Sequence, residues 1–166
     1  MSLHPILRKC WMKRGQRKLI PAPGQQRWEH LFGAYNWRTD YISWQFASKK
    51  NSEGFIAFVE YLMTVCYPTQ KIILVTDNAS YHKSKASLAA LSLFEDRLKV
   101  IWLPPYNPFL NPIERFWRHL KDLACANKLF SGLPALRDSV LFTLCQQNDL
   151  SNSDRFTFVK IFQSSA

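Results

Sequence analysis

Residues 71–85, KIILVTDNASYHKSK, decide the fold. Residues 71–76 are nearly all apolar and rich in β-branched side chains, and this pattern predicts a central strand buried on both faces. The strand ends at Asp77, and Ser84 then offers a hydroxyl that can cap a helix running to about residue 94. We expect Leu88 and Leu91 on the inner side of that helix. A strand followed directly by a helix is the unit from which α/β folds are built.

The segments before this unit read as a hairpin and a helix. Residues 30–36 and 41–47 are strand-like, and residues 37–40 read as the turn between them. Asn51 or Ser52 can cap the helix that follows. Its apolar residues recur at helical spacing and form one stripe to bury: Phe55, Phe58, Val59, Leu62, Met63 and Cys66.

The segments after it continue the alternation of strands and helices. Residues 98–103 form another strand candidate, and a long helix is expected from about residue 112 to residue 128. Asn111 is a plausible N-cap and Pro112 a suitable first helical residue, because that position does not use the missing proline N–H. A last helix is expected at about residues 135–147, with an inner face of Leu136, Val140, Leu141 and Leu144.

Composition fits one globular domain with a polyanionic partner. The 166 residues are 47% hydrophobic, which predicts a single domain over residues 1–166, with residues 131–166 as a C-terminal helical extension. The net charge of +10 favours nucleic acid, although an excess of positive charge also serves solubility. Trp11 lies in a basic segment and either stacks on a ligand or packs on the core. The basic residues of that segment are Arg8, Lys9, Lys13, Arg14, Arg17 and Lys18.

Other classes of protein are disfavoured. The four cysteines lack the spacing of a zinc site, so reduced thiols in an intracellular protein are the simplest interpretation. No apolar run is long enough for a membrane span, and no export signal is apparent. We therefore expect a cytoplasmic, nucleoid-associated protein with no membrane partner.

Two carboxylates are placed where an α/β fold collects its chemistry. Asp77 ends one strand, and Glu114 lies in the first turn of the helix after the next strand. If the strands are neighbours, both acids converge on one sheet edge. Converging carboxylates beside a basic surface suggest Mg²⁺ or Mn²⁺ and phosphodiester chemistry. Each acid also has a structural alternative: an Asx turn for Asp77, and a favourable helix-dipole interaction or a pair with Arg118 for Glu114.

The joint pattern resembles a known family. LVTDNASYHKSK (residues 74–85) and LPPYNPFLNPIERFWRHLK (residues 103–121) closely resemble the second and third signature blocks of DDE transposases, particularly the insertion-sequence relatives of Tc1/mariner known as IS630-like elements. WMKRGQRKLIPAPG (residues 11–24) and LFGAYN (residues 31–36) are similar to segments near the first block. The resemblance covers about residues 3–130.

The resemblance implies a ribonuclease H-like mixed sheet with flanking helices. It also implies a catalytic role for Asp77 and Glu114 as ligands of two divalent ions, Mg²⁺ or Mn²⁺, in DNA cleavage and strand transfer. Its partners would be element ends and target DNA, with a homodimer in the intact family. Asn78, His82 and Asn111 would shape the site or only hydrogen-bond in turns. Further phosphate contacts, or ordinary surface charge, would be Lys83, Lys85, Arg115, Arg118 and Lys121.

The sequence departs from the family pattern at its start. Relatives carry their first acid in an Asp-Glu pair after an opening strand, and this chain has Met1 at that place. We therefore expect the first, central strand and one metal ligand to be missing, and the chain as given to lack transposition activity. Asp40 is a poor substitute because it falls in the predicted turn. The alternatives are a non-catalytic, basic DNA-binding remnant or regulator, and a ribonuclease H-like nuclease acting on RNA–DNA hybrids.

Overall fold

The computed structural model describes residues 6–9, 11–15, 19, 27–105 and 111–157, which divide into two compact units. One unit is His30–Glu114, and the other combines Met1–Glu29 with Arg115–Ala166. The secondary structure comprises β1 (His30–Asn36), β2 (Tyr41–Ala47), α1 (Ser52–Tyr61), a π-helical turn (Leu62–Cys66), β3 (Ile72–Thr76), α2 (Lys85–Ser92), β4 (Leu98–Trp102), α3 (Pro112–Cys125) and α4 (Leu133–Asn148). The predicted mixed α/β architecture with flanking helices is confirmed.

β1 and β2 form the predicted antiparallel hairpin. Their register runs from His30 opposite Ala47 to Asn36 opposite Tyr41, which leaves residues 37–40 as the turn. Asp40 closes that turn with a left-handed φ of 55°, and its buried carboxylate accepts a hydrogen bond from the Tyr35 hydroxyl. Asp40 therefore has a structural function in the hairpin.

β3 and β4 pair in parallel, and the prediction that β3 is buried on both faces is wrong. Ile73 and Val75 of β3 are 63% and 43% exposed, so this strand is not buried on both faces. Alternate residues of a strand point to opposite faces, and only the face carrying Ile72 and Leu74 packs on the core of this unit. Leu88 of α2 is likewise exposed, whereas Leu91 is buried as expected. Within the described residues, the four strands form two separate two-stranded sheets.

α1 covers the core of the His30–Glu114 unit. Asn51 caps the helix, because its side chain accepts a hydrogen bond from the N–H of Gly54 at 3.1 Å. At the other end, the guanidinium of Arg97 donates to the carbonyls of Met63 and Tyr67, both at 2.7 Å, and so satisfies acceptors that the last turn leaves unpaired. The buried side chains of the cluster are Phe32, Phe55, Phe58, Val59, Leu62, Met63, Leu91 and Leu98.

α3 and α4 provide the core of the other unit. The hydroxyl of Ser139 in α4 donates to the carbonyl of Ala124 in α3 at 2.8 Å. α3 stops three residues before the predicted end, because Asn127 adopts a left-handed φ of 54° and its N–H donates to the carbonyl of Ile6 at 2.9 Å. No described helix is long and apolar enough to cross a membrane. The buried apolar residues of these helices are Phe116, Leu120, Ala124, Cys125, Leu136, Val140 and Leu144.

Candidate active site

Asp77 directly follows β3, and two donors fix its carboxylate. The N–H of Ala79 donates to Oδ1 at 3.0 Å, and Nδ1 of His82 lies 2.8 Å from the same oxygen. Within the described residues, Oδ2 makes no hydrogen bond, and the side chain is 53% exposed. The predicted Asx-type turn is therefore present, and it leaves one carboxylate oxygen available to a ligand.

His82 contacts the Asp77 carboxylate from the buried side of the loop. Its ring is buried, with ring centroids 4.3 Å from those of Phe55 and Tyr81. Burial lowers the pKa of His82, although the adjacent charge of Asp77 opposes the shift. The lowered pKa favours the neutral imidazole, whose Nδ1–H can donate a hydrogen bond to Asp77. The hydroxyl of Thr76 lies 3.2 Å from the same nitrogen.

Asn78 ties the ends of β3 and β4 together. Its side-chain amide donates to the carbonyl of Leu103, just beyond β4. The N–H of Leu103 in turn donates to the carbonyl of Thr76 at 2.9 Å. The two parallel strands therefore end level with each other, and the chain leaves β4 beside Asp77.

Glu114 lies in the first turn of α3, as predicted. Its N–H donates to the carbonyl of Asn111 at 3.1 Å, so Asn111 directly precedes the helix and accepts from its first turn. The Glu114 side chain is exposed, and it makes no ion pair with Arg118 or any other described residue. The structural alternative in which Glu114 pairs with Arg118 is therefore absent.

Tyr81 lies in the loop between Asp77 and α2, next to His82. Burial raises the pKa of the Tyr81 hydroxyl, the positive charge of Lys50 lowers it, and the negative charges of Asp77 and Glu114 raise it. Lys50 lies at the same place, with its Nζ 5.7 Å from the centre of the Tyr81 ring.

Tyr81 and Lys50 were missed by sequence reasoning. Tyr81 stands inside the DNASYHKSK segment, between residues that were singled out. Lys50 precedes the cap of α1, and nothing in its sequence neighbourhood distinguishes it from Lys49. Only the contact between two distant segments identifies the pair.

The predicted phosphate contacts fall into different environments. Nε of Arg8 forms an ion pair with Oδ1 of Asp122 at 2.7 Å. The Nζ of Lys83 lies 4.9 Å from the centre of the Trp102 ring. Trp11 is fully exposed, so it does not pack on the core. Arg17 and Lys18 lie outside the described residues. The remaining candidates have exposed side chains: Lys9, Lys13, Arg14, Lys85, Arg115, Arg118 and Lys121.

Asp77 and Glu114 have the chemistry of ligands for a divalent ion. Carboxylate oxygens suit Mg²⁺ and Mn²⁺, both side chains are exposed, and Oδ2 of Asp77 makes no hydrogen bond within the described residues. In the part of the chain that the structure describes, no group of three or more His, Cys, Asp or Glu side chains could hold a metal ion. The two acids therefore fit part of a metal site.

Comparisons with known proteins agree on one family. A family model described as DDE superfamily endonuclease matches residues 1–137. The insertion element IS630 uncharacterized 39 kDa protein of Shigella sonnei is 31% identical over 133 residues, which cover 80% of this chain and 38% of that protein. The chain thus spans well under half of the length of this relative.

Solved structures with a similar backbone support the fold. The Mos1 strand transfer complex matches with a TM-score of 0.61 and 17% identity, over 86% of this chain and 43% of that chain. The catalytic core domain of BIV integrase matches with a TM-score of 0.51 and 16% identity, over 81% of this chain and 86% of that chain. These neighbours are ribonuclease H-like catalytic cores, so the predicted fold class is confirmed.

Proposed function

Because the chain belongs to the DDE superfamily of endonucleases, we propose that it provides catalytic residues for metal-dependent DNA cleavage and strand transfer in transposition. The observation that supports this proposal is the placement of two exposed carboxylates after the paired strands β3 and β4. Asp77 directly follows β3, and Glu114 lies in the first turn of α3, the helix after β4. Acids gathered from a strand end and a helix start fit the binding of cations against a phosphate.

Asp77 and Glu114 would hold the divalent ions, Mg²⁺ or Mn²⁺. DDE enzymes generally use divalent ions, and two such ions, when bound, activate the attacking oxygen and stabilise the leaving one. The chain's own residues orient the ligands. His82 and Ala79 fix Oδ1 of Asp77, which leaves the second oxygen for a cation. Asn78 and Asn111 would shape the site by setting where β4 ends and α3 begins.

DNA is the proposed partner. A chain with a net charge of +10 gains affinity for a polyanion by releasing counterions from phosphates. One similar structure is the Mos1 transposase paired-end complex with the left transposon end, which supports transposon ends as the DNA of this chain as well. The exposed lysines and arginines of the candidate set would position the DNA without reading its sequence.

Manganese binding tests the proposed site. Titrating Mn²⁺ into the wild-type chain and following the loss of the free-ion electron paramagnetic resonance signal measures affinity directly. We expect Asp77→Asn and Glu114→Gln each to weaken binding at least about tenfold, because each removes a charged ligand. Glu95→Gln is a matched control, since Glu95 is an exposed acid in the turn before β4, at the other end of that strand. Equal affinity in all four proteins would contradict the proposal.

A non-catalytic DNA-binding function is the second candidate. It is favoured by the finding that no three potential ligands form a group among the described residues. This alternative predicts salt-sensitive DNA binding that does not change with Mg²⁺ or with Asp77→Asn. The catalytic proposal predicts that Mg²⁺ strengthens DNA binding in the wild type and that Asp77→Asn abolishes this gain.

A further inference from the structure

Lys50 occupies a fixed position between β2 and α1. It directly precedes Asn51, whose side chain caps α1 through the N–H of Gly54 at 3.1 Å. The backbone is tightly packed here, because a Cβ at Gly54 would lie 2.7 Å from Cε2 of Phe32 and 3.0 Å from the carbonyl oxygen of Lys49. The path of the chain that leads to Lys50 is therefore constrained, although its side chain is exposed.

Tyr81 is the residue that Lys50 meets. The Tyr81 ring stands edge-on to the rings of Phe32 and Phe55, at centroid distances of 6.2 and 6.5 Å. It also contacts His82, which in turn holds Asp77. Burial raises the pKa of the Tyr81 hydroxyl, while the charge and the hydrogen bond of Lys50 lower it. The ammonium group thus lies over a phenol ring that is packed among aromatic side chains, next to the histidine that contacts Asp77.

Lys50 forms no ion pair with Asp77 or Glu114 within the described residues, and Tyr81 and His82 connect it to Asp77. In the part of the chain that the structure describes, Asp77 is bonded to His82 and Ala79, and Glu114 makes no ion pair. An ammonium group carries a full positive charge and three N–H donors, and a single Tyr81 hydroxyl can accept from at most one of them. Donors therefore stay available to an anion that approaches Asp77.

We propose that Lys50 is a phosphate-binding residue of this site and that Tyr81 is its positioning residue. The inference rests on the proposed function, because that function requires a DNA phosphate beside Asp77 and Glu114. When metal ions are absent, the negative charges of the carboxylates repel a phosphate, and a nearby cation offsets part of that repulsion. Lys50 supplies a positive charge at Tyr81, next to the histidine that contacts Asp77.

The test is the salt dependence of DNA binding in EDTA, measured by fluorescence anisotropy on a labelled duplex across a range of KCl concentrations. Lys50→Ala should reduce the slope of log affinity against log salt by about 0.9, the value for one lost phosphate contact. Lys71→Ala is the matched control, because Lys71 is an exposed lysine immediately before β3, at the end of that strand remote from Asp77. Equal slopes for the two variants would overturn the proposal.

Tyr81→Phe tests the positioning function, since it removes the hydroxyl and keeps the packed ring. We expect a smaller loss of affinity than for Lys50→Ala, and no further loss when both substitutions are combined. Additive losses would show that Tyr81 acts independently of Lys50 and would overturn its positioning function.

The location of the contact is tested in an Asp77→Asn background, again in EDTA. If Lys50 binds a phosphate beside Asp77, the combined effect of the two substitutions should depart from the product of the single effects by at least about twofold. Strict multiplicativity would place the Lys50 contact elsewhere and contradict the inference. Failure of the metal proposal is seen separately, as unchanged Mn²⁺ affinity in the acid variants, because these DNA measurements contain no metal.

Discussion

The two acids of the candidate site are held in different ways. Asp77 stands in a network of hydrogen bonds, in which Ala79 and His82 fix one oxygen and Asn78 joins the neighbouring strand ends. Glu114 is positioned by the backbone of the first turn of α3, and its exposed side chain makes no ion pair within the described residues. The Asp77 carboxylate is therefore oriented by the protein itself, whereas within the described residues no ion pair orients that of Glu114.

This difference separates stability from function at the two positions. Changes around Asp77 should disturb folding as well as metal binding, since its neighbours include a buried ring. Changes at Glu114 should affect metal binding alone. Three substitutions test the contrast by their effect on the free energy of unfolding, measured by urea denaturation without metal.

His82→Ala should have the largest effect. It removes the donor to Asp77 and leaves a cavity against Phe55 and Tyr81, so we expect a loss of about 2–4 kcal/mol. His82→Asn is the control, because its amide can still donate from a position close to that of Nδ1, and it should lose less. A loss below about 0.5 kcal/mol for His82→Ala would show that the network does not stabilise the fold.

Asn78→Ala should have an intermediate effect. The substitution removes the hydrogen bond to the Leu103 carbonyl that ties β4 to β3, and we expect a loss of about 1–2 kcal/mol. Ser80→Ala serves as the comparison, since Ser80 is exposed in the same loop and should stay within about 0.5 kcal/mol of wild type. Equal stability of the two variants would contradict a structural function for Asn78.

Glu114→Gln should have the smallest effect. An exposed side chain without an ion pair contributes little to stability, so we expect a change within about 0.5 kcal/mol, although Mn²⁺ affinity should fall as for Asp77→Asn. Loss of more than about 1 kcal/mol would mean that Glu114 stabilises the start of α3, and the contrast between the two acids would disappear.

Local signals in the sequence account for much of the secondary structure. The hairpin of β1 and β2 has the predicted bounds, because two strand-like runs flank a turn that Asp40 can close. The caps at Asn51 and Ser84 also follow from local chemistry, since each side chain accepts from a backbone N–H three residues later. The exposure of Ile73 and Leu88 could not be predicted. An apolar pattern alone does not show which face of a strand or helix packs against other elements.

Patterns along the chain were enough to predict the order of strands and helices, the placement of Asp77 after a strand and of Glu114 in a first helical turn, and, through motif spacing, the family. The contacts of His82 with Asp77, of Asn78 with Leu103 and of Lys50 with Tyr81 could be found only in the folded chain. The difference follows from the distance along the chain between the residues that interact. Caps and turns depend on neighbours a few residues apart, whereas contacts between distant segments depend on how strands pair and how helices pack on them.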